Sequence, residues 1–259
     1  MTALDLAAAV LAAASLPLGT VVSVFLRVGA AMAVLPAFGE QAVPVRIKLA
    51  LTLAFTGVVA PAVPLVPLEA DPAMLAVGMA ADAAVGLVLG LALRLAVHAL
   101  QIVGAIVAQL SALAQIAGTP GFEPQPAIGN ALVVAALALA CAMGMHVRVA
   151  EGFVRSYAVI PPATLPQGGD VAAWGVAGAA RAMALAFGLA TPFVALSLAY
   201  NLALGAINRA MPQLMVALIG APAISLGTLA LLAVAAPLML DVWRTALEAR
   251  LADPFGSYP

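Results

Sequence analysis

The chain has 259 residues, of which 65% are hydrophobic and only 8% charged. Soluble domains carry roughly 25% charged residues, so a water-facing surface cannot be built from this composition and lipid must be part of the solvent. The net charge of −1 excludes long-range attraction to nucleic acid or anionic lipid, and a single cysteine, Cys141, excludes an intrachain disulfide.

In chain order, the first apolar run covers residues 6–35. Asp5 stands where a cleaved signal peptide would carry a positive charge, so this run is expected to be a retained membrane segment. Further runs cover 49–66, 73–117, 127–145, 171–204 and 214–240. A crossing of the hydrocarbon core takes about 20 residues, and three of these runs are too long for one straight crossing. Pro17 and Gly19 interrupt the first of these, and Pro192 interrupts 171–204. The run 73–117 is either a hairpin or a long helix continuing past the membrane. The connectors are short and rich in Pro and Gly; only 148–170 is long enough for an amphipathic piece. The expectation is an all-α membrane protein of about six hydrophobic helical segments, with residues 1–259 forming a single membrane-embedded helical domain.

Arg46 and Lys48 place their loop in the cytoplasm, whereas Glu69 and Asp71 place the next one outside, so the N-terminus starts outside. Simple alternation would then put Arg148 and Arg155 outside, against the same rule. Either 73–117 is a hairpin or the helices do not cross one by one.

Gly78, Asp82, Gly86, Gly90, Arg94 and His98 recur every fourth residue. Each step drifts about 40° around a helix, so the row winds, yet any three neighbours share a face. Small residues at this spacing admit a second backbone. A charge at the bilayer centre costs roughly 2.5–3.5 kcal/mol, so Arg27, Asp82, Arg94 and Arg181 should face protein or water. Arg27 and Arg181 could equally snorkel near an interface. Asp82 and Arg94 could form an internal pair; burial against neighbouring subunits is the favoured arrangement. His98 and His146 are too far apart in sequence to suggest a metal site. There is no HExxH, GxSxG, GxxxxGK[ST] or GxGxxG, so no enzyme activity and no cofactor are expected.

The stretch "NLALGAINRAMPQ", residues 201–213, sets Asn201, Gly205, Asn208, Arg209 and Pro212 at helical spacing between two apolar runs. It is either a polar corner between two spans or a surface for other helices or a water-filled path. The longer stretch over residues 201–232, "NLALGAINRAMPQLMVALIGAPAISLGTLALL", resembles the C-terminal signature of the FliR family of flagellar type III export-gate proteins. The shared core is Asn201, Leu202, Leu204, Gly205, Asn208, Arg209, Pro212 and Gln213, with a turn at Ile219, Gly220 and Pro222 after it. The stretch "LPAFGEQAVPVRIKLALTLAFTGVVAP" is similar to the same family at Pro36, Gly39, Val43, Pro44, Arg46 and Pro61. "DAAVGLVLGLALRL" resembles its acidic-Gly-Gly segment, with Asp82 in place of the more usual Glu.

The resemblance implies a structural subunit of a hetero-oligomeric export gate with long broken helical hairpins, in the bacterial inner membrane at the flagellar basal body. Its implied partners are FliP-like and FliQ-like subunits, an FlhB-like protein, membrane lipid and unfolded flagellar proteins in transit, with no nucleic acid. Assembly and helix packing would fall on Asp82, Gly86, Gly90, Arg94, Asn201, Gly205, Asn208, Arg209, Pro212, Gln213, Gly220 and Pro222. The family's channel plug would correspond to Gln109, Ser111, Gln115, Gly118 and Phe122, although "QLSALAQIAGTPGFEPQPAIGN" lacks the family's early Gly and most of its aromatics. Two other readings stand beside this one: the equivalent subunit of a virulence injectisome, and an independent secondary transporter built on broken helices. Ala223 and Ile224 come after the Gly-x-Pro turn where virulence relatives tend to carry Lys, and no internal repeat supports a transporter.

Overall fold

The computed structural model describes residues 16–40, 42–66, 71–110, 127–211 and 216–256. Among the described residues there are seven α-helices, one 3-10 turn and no strand. They are α1 (Leu18–Val34), α2 (Val45–Val59) continued by the turn Ala60–Ala62, α3 (Pro72–Leu110), α4 (Ala127–Ala142), α5 (Met145–Val159), α6 (Gly168–Ala210) and α7 (Val216–Ala252).

Proline sets three of the seven helix starts among the described residues. Pro17 and Pro44 immediately precede α1 and α2, and Pro72 is the first residue of α3, positions where a missing N–H costs nothing. Asp71 caps α3, its Oδ1 accepting the Ala73 N–H at 3.0 Å. Gly144 takes a left-handed φ of 76° between α4 and α5, where the chain bends by 75°.

The run 73–117 therefore resolves as one long helix to Leu110, not a hairpin. Pro192 sits inside an unbroken α6, and α5 is the amphipathic piece of the long connector. The expected turn at Ile219, Gly220 and Pro222 is helical instead. Pro222 forfeits one helical bond, whereas a turn would leave several backbone groups without partners in apolar surroundings. The first membrane segment expected over residues 6–35 is described only from residue 16 onward.

Four helical stretches are long and apolar enough to cross a membrane: Val45–Ala62, Pro72–Leu110, Gly168–Ala210 and Pro222–Ala252. The bent pair α4 and α5 would make a fifth. The chain is an all-α membrane protein.

Two compact units divide it. The first comprises residues 1–95, 140–178 and 247–259, and the second 96–139 and 179–246. Val24, Val28, Met32, Leu35, Val85, Phe153 and Phe255 are buried in the first unit. There Phe55 meets both Phe38 and Phe153 edge-on, and the Trp174 indole donates to the Pro254 carbonyl at 3.2 Å. In the second, Leu100, Val103, Val107, Ala186, Ala190 and Phe193 are buried, and the Trp243 indole donates to the Ala96 carbonyl at 2.8 Å.

Candidate functional site

In the first unit α1 and α3 run side by side in the same direction. Ser23 reaches Asp82, Arg27 lies against Gly86, Ala31 against Gly90, and Val34 against Arg94, each step advancing about four residues on both helices. Glycine is what permits this approach. A Cβ on Gly86 would run into the Arg27 carbonyl, and one on Gly90 would come within 2.7 Å of the Ala31 carbonyl oxygen. The row at every fourth residue thus keeps four of its members, Asp82 to Arg94, on one partner helix.

The close approach delivers two charges to each other. Arg27 is 0% and Asp82 1% exposed. The Arg27 Nη2–H donates to Asp82 Oδ1 at 2.6 Å and the Nε–H to the same oxygen at 3.0 Å. Nη1 donates to Ser156 Oγ and to the Ile160 carbonyl, both at 3.1 Å, and Nη2 also to the Pro161 carbonyl at 3.4 Å. A guanidinium has five N–H groups, and these five contacts use them all. The Tyr157 ring lies 3.7 Å from the Arg27 Cζ, adding a cation–π contact. Asp82 is equally saturated: its Oδ2 accepts from Ser23 Oγ at 2.7 Å and from the Ala163 N–H at 3.3 Å. Ala163 adopts a left-handed φ of 56°, and Gly78 leaves room for it, since a Cβ there would approach the Ala163 methyl to 2.8 Å.

This overturns one expectation. Asp82 is buried against Arg27 of its own chain rather than left for a neighbouring subunit, and Arg27 is enclosed by protein rather than extended into solvent. Arg94 is not Asp82's partner either. It donates to the Val34 carbonyl at 3.2 Å, at the C-terminal end of α1, and lies 3.5 Å from Glu40. A cation there also opposes the negative end of the helix dipole.

The other predicted residues lie in the second unit. Asn201, Gly205, Asn208 and Arg209 occupy the last turns of α6 and are all exposed. Asn201 turns its amide back to the Ser197 carbonyl at 2.8 Å; among the described residues no other element comes within 4 Å of where a Gly205 Cβ would be, and Arg209 has no ion-pair partner. Pro222 is an exposed residue of α7, and Gly220 belongs to the same helix. Pro212 and Gln213 lie outside the described residues. Of the expected plug, Gln109 is exposed on the last turn of α3, while Ser111, Gln115, Gly118 and Phe122 lie outside the described residues. Among the described residues no cluster of His, Cys, Asp or Glu is fit to hold a metal ion.

Sequence reasoning named Arg27 without assigning it a partner, and missed Ser23, Ser156, Tyr157 and the 160–163 turn. The one usable signal was the coexistence of two opposite charges, Arg27 and Asp82, in separate apolar runs. The carbonyls of Ile160 and Pro161 carry no sequence signal, because every residue has one.

The sequence pattern of the family described as bacterial export proteins, family 1, matches residues 18–249. The flagellar biosynthetic protein FliR of Caulobacter vibrioides is 30% identical over 224 residues, spanning 85% of this chain and 89% of that relative. That of Bacillus subtilis strain 168 is 31% identical over 209 residues, spanning 77% and 79%. That of Escherichia coli K12 is 30% identical over 224 residues, spanning 83% of each.

Proposed function

Because the chain belongs to the FliR family of bacterial export proteins, we propose that it is a structural, non-enzymatic subunit of the flagellar type III protein export gate. In this reading it sits in the bacterial inner membrane at the flagellar basal body. It builds, with FliP-like and FliQ-like subunits and beside an FlhB-like protein, the channel for unfolded flagellar proteins.

The observation that carries the proposal is the contrast between the two polar groups of the site. The Arg27–Asp82 cage is saturated within the chain. At the end of α6, by contrast, Asn208 and Arg209 are exposed after a charge-free stretch, and Arg209 has no ion pair among the described residues. Polar groups on such a helix are answered by other proteins or by channel water, not by acyl chains. Gly205, with open space where a side chain would be, gives a neighbouring backbone room to approach. The names of the relatives favour flagellar export over the injectisome equivalent.

Two measurements test this. Purified in mild detergent from flagellated cells, the tagged chain is expected to bring down small FliP-like and FliQ-like membrane proteins. Arg209→Ala is expected to abolish swimming while the protein still inserts in the membrane. A chain recovered alone, with swimming intact in the variant, would sink the proposal.

A further inference from the structure

The second unit turns its charge distribution into a length. Residues 182–200 of α6 include no Asp, Glu, Lys or Arg; Arg181 stands immediately before them, and the polar group Asn201, Asn208 and Arg209 comes after. The helix is continuous through this stretch, so nineteen residues measure about 28 Å. The hydrocarbon core of a bilayer is about 30 Å thick.

The partner helix gives the same edge. Residues 184–192 of α6 share an apolar cleft with residues 235–242 of α7, and further along α6 Leu196 lies by Gly227, so the two helices run antiparallel. The charge-free part of α7 ends at Asp241, which is level with the start of the band on α6. The parts of α3 and α4 in this unit, residues 96–110 and 127–139, also hold no Asp, Glu, Lys or Arg.

What the band presents outward is large and apolar. Phe187 is 57%, Val194 44% and Leu198 61% exposed, and the three fall on one stripe of α6. Arg181 is exposed and has neither an ion pair nor a hydrogen bond among the described residues. The acid at that level, Asp241, is already held by Arg244 at 2.8 Å. An arginine at the rim of an apolar band extends its stem along the band and sets its head among phosphates.

We propose that residues 182–200 of α6 are a lipid-facing band, with phospholipid acyl chains against Phe187, Val194 and Leu198 and a phospholipid phosphate on Arg181. Residues 201–209 then stand beyond the far edge of the hydrocarbon, where water and other proteins meet them. The inference goes beyond the export function and requires that no assembled protein cover Phe187.

The test places benzoylphenylalanine at position 187, and separately at 205, in the full chain in native membranes, with swimming scored in parallel. After irradiation, the protein labelled at 187 is expected to gain the mass of a phospholipid, and the one labelled at 205 is not. Attachment at 187 to protein alone, or equal lipid attachment at both positions, overturns the band. Swimming reports on export independently, so the two proposals fail separately. For the headgroup, phospholipid phosphate retained per purified protein is expected to fall at least twofold in Arg181→Gln and to be kept in Arg181→Lys. Equal retention in all three proteins overturns the phosphate contact.

Discussion

Asp82 and Arg27 illustrate how a charge is kept in an apolar interior. Each ion loses several kcal/mol of hydration on burial, and the loss is offset only where every lone pair and N–H finds a partner. The cage meets that condition on both sides, with four bonds to the carboxylate and five from the guanidinium. Asp82→Ala strands the guanidinium and is expected to cost about 3–5 kcal/mol, read from denaturation of the purified protein in detergent. The pair Arg27→Met with Asp82→Leu is expected to recover part of that loss, since no unpaired ion remains, although the Ala163 N–H and the Ile160 and Pro161 carbonyls lose their partners. If the double variant were as unstable as the single one, packing rather than charge compensation would be the cause. Sequence flagged both residues through the cost of a charge in an apolar run. It could not join them, because they lie 55 positions apart and no local rule carries register over that distance.

Among elements, glycine decides which helices touch. Gly86 and Gly90 admit α1, and in the second unit a Cβ on Gly104 of α3 would collide with the backbone of Gly129 on α4. Gly86→Leu is therefore expected to loosen the subunit itself, lowering its melting temperature by several degrees and increasing proteolysis between α1 and α3 even without partners. An unchanged melting curve would remove the close-approach argument. The apolar runs and the small-residue row were legible from periodicity, whereas Pro17, read as an interruption of the first run, stands at the start of α1. The continuity of α3 and α6 was not legible. Composition limits how much apolar surface must be buried but does not say where a helix longer than one crossing stops. The helical course through Pro222 was hidden for a related reason: proline usually ends a helix in water, but it is tolerated inside one where a turn would strand more backbone groups.

At the scale of the whole molecule, the sequence-predicted site residues fall into two groups with different duties. Those on α3 hold the first unit together; those at the end of α6 have little to do within the chain. Gly205→Trp separates the two roles. Among the described residues a Cβ there meets no atom of another element within 4 Å, so the melting temperature is expected to stay within about a degree, while recovery of partner subunits drops. Unchanged recovery would show that this face is not an assembly surface. The cage has a further consequence, for biosynthesis. Arg27 leaves the ribosome 55 residues before Asp82 and 133 before the Ile160 carbonyl. At about 5–20 residues per second, the cation waits roughly 3–11 s for its counter-ion and roughly 7–27 s for its last acceptors. For that interval the nascent first helix cannot be left in lipid on its own. It must be held near water or by the insertion machinery until the third helix arrives, so a chain truncated before Asp82 should be a target for membrane proteolysis.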